Sequence, residues 1–147
     1  MKGKGVRQMI VDGTGLVLGR LASIVAKRAL NGERTDIINA ENVIITGSKK
    51  DVLKDYKRKR DLRTRRNPNA GPMYPRSPDA MIKRAVRNMV GYKSAKGKKA
   101  LKLVKAFNGT PAVFEKSRKV QFQEAKSNPR TRKVSLGEIG RELGYGL

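Results

Sequence analysis

The chain has 147 residues, neither cysteine nor histidine, and 35 lysines and arginines against 12 acidic residues, a net charge of +23. That length holds one domain with its own core and excludes a cofactor domain beside a substrate domain. The missing cysteine rules out disulfides, a thiolate nucleophile and zinc fingers, and the missing histidine removes the side chain that titrates near neutrality.

A positive excess of this size calls for a polyanionic partner. Nucleic acid is favoured over an anionic membrane, because the sequence has no run of about 18 apolar residues and no signal-peptide pattern; a cytosolic protein is expected. The charge is also uneven. Residues 1–48 carry seven basic and four acidic side chains, residues 49–133 carry 27 and six, and residues 134–147 carry one and two. The ends therefore read as core and the middle as contact surface.

In chain order, the basic leader 1–8 precedes a short buried strand at residues 9–11. Leu18, Leu21, Ala22, Val25 and Ala29 then form one helix face, which Asn31-Gly32 ends. Ile37-Ile38 and Val43-Ile44-Ile45 are branched apolar runs suited to strands. Ser48 with Asp51 three residues on reads as a capping box, opening a helix to about Leu62 that is polar nearly all round and expected to lie against something charged.

Residues 63–77 carry three prolines, a glycine and four arginines and read as a loop or extended arm. Ser77-Pro78 starts a helix with Met81, Ile82, Ala85, Val86 and Met89 inward and Lys83, Arg84 and Arg87 outward. A basic helix is expected over 95–103, a strand over 104–107 and a turn at Asn108-Gly109. Residues 112–134 show little periodicity and are expected to be irregular. Ser135 and Glu138 form another capping box, with Leu136, Ile139 and Leu143 inward and Gly144 as the stop. Strands alternating with helices predict an α/β layer fold with a mainly parallel sheet. The expected organisation is one unit over 1–147, with basic insertions at 49–105 and an arm at 112–134.

Two stretches imitate nucleotide sites. Gly13, Gly15 and Gly19 follow the first strand, but G-x-G-x-x-G would need closer spacing, and Asp36 precedes its strand instead of following it. The simpler reading makes Gly13 and Gly15 a tight turn and Gly19 a point of close backbone approach. "TGSKK" at 46–50 lacks the earlier glycine and the following Ser or Thr of a phosphate-binding loop, although Lys49 and Lys50 at a helix start could grip one backbone phosphate. Asp51/Asp55 and Glu138/Glu142 stand four apart beside basic residues, the spacing of surface ion pairs. No cofactor, metal or small-molecule substrate is expected.

The basic apparatus remains. "KRKRDLRTRR" at 57–66 has a single acidic residue, "YKSAKGKKALK" at 92–102 has five lysines, and "NPRTRK" at 128–133 is a third cluster. Solvated faces mix signs, so phosphate contact is favoured. The candidate RNA contacts are Lys49, Lys50, Arg58, Lys59, Arg60, Arg63, Arg65, Arg66, Arg76, Lys83, Arg84, Arg87, Lys93, Lys96, Lys98, Lys99, Arg130, Arg132 and Lys133. Aromatics are few, so recognition of backbone and shape is favoured over base reading; Tyr74 and Tyr92 could stack on bases or sit half-buried. Segments 63–77 and 112–134 are expected to order only on RNA.

"DGTGLVLGRLAS" (12–23), "INAENVIITGSK" (38–49), "RSPDAMIKRAVRNMVGYKSAKGKKAL" (76–101) and "TRKVSLGEIGRELGYG" (131–146) resemble the thirteenth universal large-subunit ribosomal protein family in its archaeal and eukaryotic form. The resemblance implies a three-layer α/β/α core with a four-stranded parallel sheet. It also implies a structural, non-enzymatic role in the large ribosomal subunit, bound to its RNA beside neighbouring ribosomal proteins and engaged early in assembly. Arg76, Arg84, Arg87, Lys93, Lys96, Arg132 and Lys133 fall on matching basic positions. Where relatives commonly read Arg-Gly-Met-Leu-Pro, this chain has Arg87-Asn88-Met89-Val90-Gly91, and Gly91 can still end the helix.

Overall fold

The computed structural model describes residues 8–146; the leader, apart from Gln8, lies outside them. Four strands form a parallel sheet in the order β4-β2-β1-β5, with β1 at Gln8–Asp12, β2 at Arg34–Ile38, β4 at Val104–Ala106 and β5 at Lys119–Val120. Helix α1 (Leu18–Leu30) links β1 to β2, and its stripe of Leu21, Ala22, Val25, Ala26 and Ala29 is buried. Helices α3 (Pro78–Met89) and α4 (Ala95–Lys102) pack with α1 on one sheet face, around Val11, Ile37, Ile82, Val86 and Val104. Each large side chain fully buried there contributes about 1.5–3 kcal/mol.

From β4 the chain crosses to the opposite edge of the sheet. Right-handed crossovers in both directions require opposite faces, so this return runs over the second face. There the 3-10 turn Ala112–Phe114 buries Phe114 against Phe107, with ring centroids 5.6 Å apart. The result is the expected α/β/α three-layer architecture with a four-stranded parallel sheet and helical and irregular excursions.

The third predicted strand is not in that sheet. β3 (Ile44–Thr46) pairs antiparallel with β6 (Lys133–Ser135), leading into α5 (Leu136–Glu142). Only a short connection with one 3-10 turn separates β2 from β3, whereas a parallel crossover needs a dozen or more residues.

The segment 112–134 is also more regular than expected. It supplies β5, two 3-10 turns and the buried side chains Phe114 and Ala125, and Val17 N–H donates to the Ala125 carbonyl at 2.8 Å. Pairing along β1, invisible to local periodicity, offsets the cost of ordering it. Residues 63–73 are exposed without strand or helix, as the prolines predict.

Met89 is 46% exposed at the end of α3, not part of its buried stripe. Ser48 stands at the N-cap of α2 (Lys49–Asp61) but accepts no amide hydrogen bond. Ser135 does cap, accepting from Glu138 N–H at 3.2 Å. Helix α2 buries no residue fully, but Val52, Leu53 and Tyr56 rest on the core, so it is less detached than its polarity suggested. A Cβ on Gly19 would meet nothing within 4 Å; Gly13 is the close approach, where a Cβ would lie 2.7 Å from Val43 Cγ2.

Candidate nucleic-acid interface

The basic residues are carried by five pieces of backbone. Lys49, Lys50, Arg58, Lys59 and Arg60 lie on α2, Arg63, Arg65, Arg66 and Arg76 on the extended connection, and Lys83, Arg84 and Arg87 on α3. Lys93 is in the turn before α4, which carries Lys96, Lys98 and Lys99. Arg130 and Arg132 precede β6, and Lys133 begins it.

The fold joins clusters that are distant in sequence. Thr46 stands opposite Lys133 in the β3–β6 ladder, and Gly47 N–H donates to the Arg132 carbonyl at 2.8 Å. The start of α2, with Lys49 and Lys50, is thereby fixed beside Arg132 and Lys133. Lys49 also faces Glu142 at 3.9 Å, an exposed pair.

A second convergence involves α3 and α4. A Cβ on Gly97 would overlap the Gly91 carbonyl oxygen and lie 2.6 Å from that of Val90. Only glycine lets the start of α4 press against the end of α3. Gly91, at φ +64°, turns the chain between them, and Ser94 Oγ accepts from Gly97 N–H at 3.0 Å. This junction keeps the exposed Lys93, Lys96, Lys98 and Lys99 close to the α3 terminus that bears Arg87. Lys83, Arg84 and Arg87 line a shallow cleft with Pro75 and Leu101.

Several predicted contacts already have partners within the chain. Asp55 bonds both Lys59 and Arg58, and these bonds, Lys59 first, hold its carboxyl below the usual range. Arg60 Nη1 donates to the Leu143 carbonyl at 3.2 Å, tying α2 to the end of α5. Arg84 Nη1 donates to the Met73 carbonyl at 2.6 Å, and its guanidinium lies 4.1 Å from the Tyr74 ring centroid. Arg87 lies 3.7 Å over Tyr92, and its hydrogen bonding and charge lower the phenol pKa. Tyr74 and Tyr92 are thus half-buried partners of arginines. Lys54 and Lys57, absent from the sequence-derived set, share the exposed strip of α2 with Lys50 and Arg58; helical spacing from Lys50 identifies them.

The imitation nucleotide site is filled by the protein itself. Gly13 N–H donates to the Ile38 carbonyl and Gly15 N–H to that of Asn42, while Thr14 N–H and Oγ1 both donate to Asp12 Oδ1. The amides that would cradle a pyrophosphate are occupied. Asp36 is fully buried and receives Gln8 Nε2 at 2.6 Å beside Arg34, so its carboxylate cannot reach a ribose. Among the described residues, no group of three or more acidic side chains could hold a metal ion, and no helix is long and apolar enough to cross a membrane.

A small α/β fold that fills its first strand-to-helix turn with its own hydrogen bonds and gathers cations at two junctions of distant segments suits a nucleic-acid-binding structural protein. The family described as Ribosomal protein L13 matches residues 7–113. The chain is 43% identical over 136 residues to the large ribosomal subunit protein uL13 of Methanosphaera stadtmanae, covering 92% of this chain and 96% of that one. It is 41% identical to the uL13 of Methanocaldococcus jannaschii over the same shares, and 37% identical to that of Natronomonas pharaonis over 95% and 92%. The chain belongs to the L13 family of ribosomal proteins.

Proposed function

We propose that the chain is a structural constituent of the large ribosomal subunit in the cytoplasm, where it binds and organises ribosomal RNA from an early stage of assembly. The observation that carries this reading is the α3–α4 junction closed by Gly97, which gathers cations from two helices onto one rigid surface of a family member. Arg76, Arg84, Arg87, Lys93, Lys96, Arg132 and Lys133 are the principal phosphate contacts. Lys49, Lys50, Lys83, Lys98, Lys99, Arg130 and the arginines of the extended connection extend the surface, and Arg58, Lys59 and Arg60 combine RNA contact with their internal bonds.

The mechanism is charge neutralisation on a shaped support. Each lysine or arginine that meets a phosphate releases a condensed counterion, and the folded core fixes where those cations stand, so RNA segments that would repel one another are held together. Native extract sedimented through a magnesium-containing gradient and washed in moderate salt tests the reading. One copy of the chain per large subunit, retained through the wash, is expected; a chain left at the top of the gradient would overturn it.

A further inference from the structure

Between α2 and α3 lies a cleft of about 130 Å³ whose apolar and aromatic lining phosphate contact does not explain. Leu18, Met81 and Ala85, which pack on the core, give it apolar lining, and Tyr56 and Tyr74 line it as well. Its polar groups are Lys59, Arg84 and Asn88. Arg84 is already set in place by its bond to the Met73 carbonyl and its stack on Tyr74. Asn88 is exposed and makes no side-chain hydrogen bond among the described residues.

We infer that this cleft receives one nucleobase turned out of the ribosomal RNA, with adenine the best match. The volume is well below the about 300–1,000 Å³ of pockets for drug-sized ligands and suits a single flat ring system. Unstacked RNA bases are held by stacking on aromatic rings or guanidinium planes and by hydrogen bonds to their edges, and the cleft offers the stacked Arg84–Tyr74 pair, the Tyr56 ring with the Lys59 ammonium 5.7 Å from its centroid, and one free amide. An asparagine amide pairs bidentately with the N6 and N7 edge of adenine. The backbone phosphate of such a base is served by the cations of Arg84 and Lys59, so a nucleotide fits this lining better than an uncharged aromatic side chain from a neighbouring protein. Base reading here would add sequence preference to an interface otherwise based on backbone charge.

This inference rests on the ribosomal reading above, and the test separates the two. Large subunits carrying the wild-type chain, Asn88→Ala or Tyr74→Ala are first assayed for one copy of the chain, then their RNA is probed with diethyl pyrocarbonate, which modifies adenine at N7. The expected result is one adenine, protected in wild-type subunits, whose reactivity rises about tenfold with Asn88→Ala, as removal of a bidentate amide–base pair predicts, and at least as far with Tyr74→Ala. Asn88 is exposed, so its replacement leaves the fold intact should the tyrosine variant not assemble. Full occupancy with no base changing reactivity would overturn the inference, as would a benzophenone side chain at Met73 crosslinking to a protein in place of RNA. Absence of the wild-type chain from subunits would instead overturn the ribosomal reading.

Discussion

Asn39 Nδ2 donates to Asp12 Oδ1 at 3.0 Å, joining the C-terminal ends of β1 and β2. The same Asp12 oxygen receives Thr14, and Thr110 Oγ1 donates to Asn39 Oδ1 at 3.0 Å, bringing in the segment after β4. Asn39 holds this position at φ +53°, a left-handed conformation that asparagine tolerates better than most side chains. The residues at the open end of the sheet are therefore cross-linked to one another.

Asp12 makes that network sensitive to acid. Partial burial pushes its carboxyl pKa up, but bonds from Asn39 and Thr14 and the charge of Lys119 outweigh burial and leave it below 3.8. A carboxylate depressed on folding stabilises the fold above its unfolded pKa, and this contribution disappears as the pH falls through the folded value. Thermal unfolding followed from pH 7 downward should show the wild type losing stability below about pH 4, with Asp12→Asn losing less over the same range. Equal losses in both proteins would remove Asp12 as the sensitive group. Asn39→Ala should cost about 1–2 kcal/mol at neutral pH, from broken hydrogen bonds and backbone strain.

Gly97 and Gly19 make opposite predictions for the same change. Gly97→Ala places a methyl group against two backbone carbonyls and should destabilise by about 2–3 kcal/mol as α4 is forced off α3. Gly19→Ala meets open space in a helix and should be neutral or stabilising by up to about 1 kcal/mol. Denaturant titration of the two variants measures both; a large loss at Gly19 would restore the close-approach reading of the glycine pattern.

The lysines of α4 should set the salt dependence of RNA binding. Replacing Lys96, Lys98 and Lys99 together with glutamine leaves the core untouched, since all three are exposed. Binding to large-subunit RNA measured across a salt series should weaken, and its log–log slope should flatten by about 0.7–0.9 for each phosphate no longer neutralised. An unchanged slope would place these lysines in solvent.

Hydrogen exchange can test the ordering of the arm. In the free protein the amide of Ala125 and those of the β1–β5 ladder should be protected, because they belong to the folded sheet and its flank. Amides at 63–73 should exchange fast, having almost no backbone partners. Phe114→Ala, which removes the main buried side chain of the return crossing, should cost about 3–5 kcal/mol and release the arm; protection that survived it would give that anchoring to other contacts.

The helices were legible because each depends on neighbours three or four positions away. The stripe from Leu21 to Ala29 and the Ser77-Pro78 start both appear where local pattern puts them. The basic clusters were legible for a similar reason, since charge is read residue by residue. Less legible were the roles of Arg84 and Arg87, which look like free phosphate ligands in sequence and are stacked on Tyr74 and Tyr92 in the fold. Those partners stand five or more residues away across a turn or arm, where no helical or strand period connects them.

Composition and local order alone determined the absence of cysteine and histidine chemistry, the overwhelming positive charge, the helix positions and the likeness to a ribosomal family. Tertiary structure decided which strands pair. Val120 enters the main sheet beside Val11 while Ile45 leaves it for Val134, because strand pairing is a contact between distant segments with no trace in either one's own periodicity. It also decided that α2 and the extended connection meet α3 around the small cleft that contains Asn88. The shape of such a cleft depends on close packing of several elements, and no single segment carries it.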